Sequence, residues 1–188
     1  MNIGLYCEPI NSALLNYRGL YRDNGIIELA EVDNYHLTSA IEWFFSTSKE
    51  GCFLEYTDQN KERLFVLYSI LRTQKWDGEM VLFTDCCNVI IPSDFILLGY
   101  DICADSKYYS PIGDGFLQTY DKDDPFFVEM CIAEFKHYKN NINDAGLFNT
   151  YSIALEFSNY CNVINKKYEH AVETENHWRP FAIYKLKE

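Results

Sequence analysis

Asp94-Phe95-Ile96-Leu97-Leu98-Gly99-Tyr100-Asp101-Ile102-Cys103-Ala104-Asp105-Ser106-Lys107-Tyr108-Tyr109-Ser110-Pro111-Ile112-Gly113-Asp114-Gly115-Phe116 changes character halfway along. Its first half is an apolar run of the right length for a buried strand over Phe95 to Ile102. Its second half is a Ser/Pro/Gly/Asp loop with two adjacent tyrosines. A core strand that delivers aromatic and acidic groups to the surface is a common way to build a functional edge.

Working outward, the other elements fall on both sides of this strand. Ile10 to Tyr21 fits helix and strand equally well. Asn24-Gly25 signals a turn, and Ile26 to Val32 reads as a short strand. Leu37, Ala40, Ile41 and Phe44 recur at helical spacing, so His36 to Phe45 is expected to be helical. Cys52 to Tyr56 is a strand candidate, and Thr57 or Asp58 should cap a helix from Asn60 to Gln74 on Leu64, Leu67, Tyr68 and Leu71. Met80 to Phe83 reads as a strand, with Val89-Ile90-Ile91 expected to pair with it before Pro92 ends the element.

Downstream, the acids before Pro125 announce a helix carrying Phe127, Met130, Cys131, Phe135 and Tyr138. A second helix is expected over Leu147 to Ile164, and the alternating Phe181 to Leu186 reads as a C-terminal strand at an edge. Strands and helices do not alternate strictly. The expected fold is therefore α+β: one domain spanning 1–188, a mixed or mostly antiparallel sheet packed against several helices.

Composition narrows the function classes. The chain has 188 residues, 48 % of them hydrophobic, which suits a folded protein with a sizeable core. Its net charge of −12 disfavours nucleic acid and anionic lipid as direct partners, and favours a basic protein. Acidity also serves plain solubility. The seven cysteines form no regular disulfide framework and read mainly as reduced, apolar-flanked core residues. With no basic-then-apolar leader at Met1 to Pro9 and no run long enough to span a membrane, a cytoplasmic protein is expected.

Catalytic and metal motifs fail on their residues. There is no C-x-x-C or H-E-x-x-H, so no metal site is expected. Asp121-Lys122-Asp123 starts like a calcium loop, but Phe126 stands where glycine is needed and Ile132 where glutamate is needed. Gly113-Asp114-Gly115 starts like a dinucleotide loop, but Gln118 replaces the third glycine and Asp114 would repel a pyrophosphate. No cofactor is expected. Cys86-Cys87, in a turn after a strand, is the best nucleophile candidate, and the alternative function is a small cysteine-dependent enzyme using Cys86 or Cys87. The base would have to be His36, His137, His170 or His177, none adjacent in sequence.

The remaining candidate is a surface. Asp101, Asp105, Asp114, Asp121, Asp123 and Asp124 are interleaved with Tyr108, Tyr109 and Tyr120. Rings for desolvated contact, among charges for steering and for Lys/Arg pairing, suit a basic protein partner. A solvated loop followed by helix-start acids is the competing structural reading.

Phe95-Ile96-Leu97-Leu98-Gly99-Tyr100-Asp101-Ile102, followed by Ala104-Asp105-Ser106, resembles a stretch of small bacterial proteins encoded beside polymorphic toxins, including immunity proteins of contact-dependent growth inhibition systems. The continuation Tyr108-Tyr109-Ser110-Pro111 differs from the Ser-Gly-rich one found there. The resemblance implies a cytoplasmic, non-enzymatic protein that binds the C-terminal toxin domain of an effector and blocks its active site. It also implies that the toxin is a basic nuclease, often an RNase, whose phosphate ligand an acidic partner mimics in charge.

Overall fold

The computed structural model describes residues 1–6, 35–48, 53–76, 78–85, 89–104, 137–138, 140–167 and 177–187. These form a five-stranded sheet and three helices: β1 (Asn2–Tyr6), α1 (Tyr35–Thr47), β2 (Phe53–Glu55), α2 (Asp58–Thr73), β3 (Glu79–Asp85), β4 (Phe95–Ala104), α3 (Tyr151–Lys167) and β5 (Trp178–Leu186). The strand order is β2-β1-β3-β5-β4, and every neighbouring pair is antiparallel. The fold is α+β, as expected. The strand reading at Ile26 to Val32, the stretch Ile10 to Tyr21 that fits helix and strand equally, and the helix reading up to Phe135 lie outside the described residues.

Alternation along the strands sorts the core into two layers. Ile3, Leu5, Leu54, Met80, Leu82 and Phe95 pack with Leu37, Ile41 and Phe44 of α1 and with Leu64, Leu67 and Leu71 of α2. Their alternate neighbours Phe53, Val81, Phe83, Phe181 and Ile183 form a second cluster with Leu147. In it, the Phe53 and Phe83 rings meet edge-on at 4.6 Å.

Helix α2 is delimited by local chemistry. The Thr57 hydroxyl accepts from the Asn60 amide at 3.1 Å, satisfying one of the donors a helix start leaves open. At the far end Lys75 turns left-handed (φ 63°), while the Lys75 and Trp76 amides donate back to Arg72 and Leu71. That closure brings the buried Trp76 onto the core beside Leu71.

Four expectations change. Val89 to Ile91 do not pair with β3, whose neighbours are β1 and β5. The unforeseen β1, with alternating Ile3 and Leu5, takes that place in the core. The third helix begins at Tyr151 rather than Leu147 and runs on to Lys167. Leu147 and Phe148 are fully buried beside the sheet, and the Thr150 hydroxyl accepts from the Ile153 amide at the helix start. Strand β5 is internal, between β3 and β4. Its Pro180 is tolerated because β3 ends at Asp85 opposite Phe181, one residue short of it.

The fourth change concerns β4, which is an edge strand rather than a core strand. It carries a bulge between Leu97 and Gly99, where its register against β5 shifts. Gly99 has φ +156°, and a Cβ there would lie 2.8 Å from the Leu147 Cβ and 2.9 Å from the Phe148 carbonyl oxygen. Gly99→Ala is therefore expected to destabilise the fold by about 2 kcal/mol or more through overpacking and backbone strain. A lowered urea midpoint with an unchanged m value would register this, and an unchanged midpoint would refute it.

Candidate functional site

The outer edge of β4 is where the fold meets the expected interface, and most of that edge is sealed from within. Its second half has outward-facing amides at Tyr100 and Ile102, and each has a partner. Tyr100 exchanges two backbone hydrogen bonds with Phe148, at 3.0 and 2.8 Å. The Ile102 amide donates to Asp101 Oδ1 at 2.7 Å.

At the bulge itself stands Asn143. Its Nδ2 donates to the Leu98 carbonyl at 2.8 Å, and its Oδ1 accepts from the Ala145 and Leu147 amides at 3.0 and 3.1 Å. Its backbone also takes part in the turn, donating to the Leu147 carbonyl and accepting from the Gly146 amide. One side chain thus folds the 143–147 loop and fastens it to the strand. Sequence reasoning passed over Asn143, since an Asn-rich connector has no signal that points to a strand 45 positions away.

Asp101 corrects the expected surface: it is fully buried, and its carboxylate serves the strand edge. The other expected contact residues, Asp105, Tyr108, Tyr109, Asp114, Tyr120, Asp121, Asp123 and Asp124, lie outside the described residues, as do Cys86 and Cys87. Of the expected contact residues, the structure describes Asp101 alone.

Charge separates the frame from the rest of the sequence. The described residues hold ten Asp/Glu and nine Lys/Arg, −1 of the total −12. Stretches 105–136 and 168–176 contribute −4 and −3. The first follows Ala104 and the second ends just before His177 and Trp178. Ala104 and Trp178 are direct register partners, so both acidic stretches join the sheet at one corner. Asn162 of α3 ties down that corner, exchanging hydrogen bonds with the Trp178 backbone at 2.8 Å each.

Some of the described charged groups pair with one another. Arg179 and Asp85 lie 3.4 Å apart at the end of β3, with the guanidinium 5.1 Å from the centre of the Phe181 ring. His137 is exposed and lies 3.6 Å from Glu156. Among the described residues no group of three or more His, Cys, Asp or Glu could hold a metal ion, and no helix is long and apolar enough to cross a membrane. Compared with family models, with curated proteins and with solved structures, the chain matched none.

Burial of Cys161 pushes its thiol well above the ordinary range, leaving it protonated and unreactive at neutral pH. Iodoacetamide should leave Cys161 unmodified in the native protein and alkylate it in urea. Peptide mass mapping checks this, and native labelling at Cys161 would contradict its structural role.

Lys61 pairs with Asp94 at 2.9 Å, joining α2 to the turn before β4. Chiefly through this hydrogen bond, the Asp94 carboxylate holds the Lys61 ammonium above its usual pKa, against a smaller opposing effect of burial. A raised pKa in the fold means stabilisation that is complete below the unfolded-state value of about 10.4 and fades as pH rises through the higher folded value. Lys61→Met should cost roughly 0.5 kcal/mol at pH 7, with the gap to the wild type narrowing above about pH 10.5. Paired urea titrations at pH 7 and pH 11 test this, and a gap that widens at pH 11 contradicts the pairing.

Proposed function

We propose that the chain is an immunity protein that binds a cognate basic toxin domain, a nuclease in this reading, and blocks its active site in the cytoplasm. The observation that carries the proposal is the distribution of charge. A near-neutral frame bears acidic sequence, and two acidic stretches join the sheet at the paired residues Ala104 and Trp178. Such an arrangement suits electrostatic steering of a basic partner, because the charges that attract it are separate from those that hold the fold. The likeness of the β4 segment to proteins encoded beside polymorphic toxins points the same way.

In this reading the frame does no chemistry. Strand β4 supports the segment carrying Tyr108, Tyr109 and Tyr120 with Asp105, Asp114, Asp121, Asp123 and Asp124, whose rings and carboxylates would meet lysines and arginines of the toxin. Asp101 belongs to the frame instead. The acidic residues would occupy the region of the toxin where a nucleic-acid phosphate binds, so inhibition is competitive with substrate.

Co-expression with the toxin domain encoded immediately upstream should restore growth. Replacing Asp121, Asp123 and Asp124 together by Lys should slow association by about tenfold or more at low salt and weaken rescue. Asp101→Asn should act through stability rather than charge complementarity, changing the unfolding midpoint more than the salt dependence of binding. Growth inhibition that the intact protein does not relieve would overturn the proposal.

A further inference from the structure

Among the described residues, the start of the β4 edge lacks a backbone partner and adjoins an apolar and basic corner at the opposite end from Ala104. The Lys187 amide donates to the Asp94 carbonyl at 2.8 Å, which makes Asp94 and Lys187 a hydrogen-bonded antiparallel pair. Alternation then makes Ile96 and Lys185 the next such pair, so the Leu97 amide and carbonyl face away from β5. No described residue bonds to them, whereas the Leu98 carbonyl, the Tyr100 backbone and the Ile102 amide are engaged by Asn143, Phe148 and Asp101.

Side chains at this corner are unusually exposed for their type. Ile96 is 40 % and Leu97 45 % exposed, although consecutive strand residues project to opposite faces. Ile90, on the connection leading into the strand, is 92 % exposed. Two lysines that form no ion pair with Asp94 stand at this corner of a strongly acidic protein. Lys185 stands opposite Ile96, Lys187 donates to the Ser93 carbonyl, and Asp94 is engaged by Lys61.

From these features we infer that the start of β4 is a docking edge for an extended segment of a separate protein, one that alternates apolar and acidic residues. The outward backbone groups of Leu97 call for a strand-like ligand, Ile90, Ile96 and Leu97 for apolar side chains, and the lysines for carboxylates. A second copy of this chain fits poorly. Antiparallel pairing of two β4 edges about Leu97 would set residue 95 of each against Gly99 of the other, where the 143–147 loop already packs, and would bring like-charged lysines together. The inference is independent of the immunity reading and uses a different end of the strand.

The test is methyl and amide NMR of the full chain titrated with the peptide Glu-Val-Glu-Val-Glu-Val-Glu, blocked at both ends. Saturable shifts at Ile90, Ile96 and Leu97, with a dissociation constant below about 1 mM, are expected. The same peptide with Lys in place of Glu should not bind. K185E/K187E should weaken binding by about tenfold. Leu97→Thr, which leaves the lysines in place, should weaken it too, with folding of each variant checked by circular dichroism. Absence of saturable shifts, equal binding of the lysine peptide, or shifts that follow protein concentration alone, as self-association gives, would overturn the inference.

Discussion

The fastening of the 143–147 loop to the edge of β4 is the constraint on which this architecture turns. An edge strand presents a row of unpaired amides and carbonyls that must be covered or left to water. Here the cover is only a few residues long, and it works because Gly99 lets the loop approach to a distance no side chain would permit. Asn143 satisfies both partners at once, bonding the strand through its amide nitrogen and its own loop through its amide oxygen. The bulge at Leu97/Gly99 belongs to the same device, since it re-aims the strand where the loop arrives.

The two ends of β4 adjoin sequence of different chemistry. Beyond Ala104 the sequence turns acidic and aromatic, and it is joined to the frame beside the entry to β5. At the other end the strand opens onto apolar side chains and lysines. In the proposed reading a basic partner would be drawn to the first and repelled by the second. If both proposals hold, one edge strand would serve two kinds of recognition without their charges competing.

Much of the frame was legible in the sequence where apolar spacing is long and regular. Leu64, Leu67 and Leu71 predicted α2 within two residues, and of the two cap candidates Thr57 and Asp58 it is Thr57 that caps it, because capping and periodicity are local. Phe95 to Ile102 was legible as a strand for the same reason, yet its position at the edge was not. Strand order depends on which apolar faces meet across long separations, and Phe181 to Leu186 reads alike inside a sheet or at its rim. The short β1 escaped notice because Ile3 and Leu5 make only one alternation, while its pairing with β2 and β3 gives it an internal position.

Composition, charge and helix periodicity were determined by the sequence alone, since each depends on residue type and near neighbours. The strand order, the fully buried state of Asp101 and the role of Asn143 were decided only by the tertiary structure. An aspartate in an acidic stretch reads as a surface charge until a neighbouring amide at a sheet edge needs an acceptor. An asparagine in a connector reads as solvent-facing until the loop lands on a strand. In both cases the deciding contact is a hydrogen bond whose need arises from the pairing of strands, and that pairing is not encoded at the residue itself.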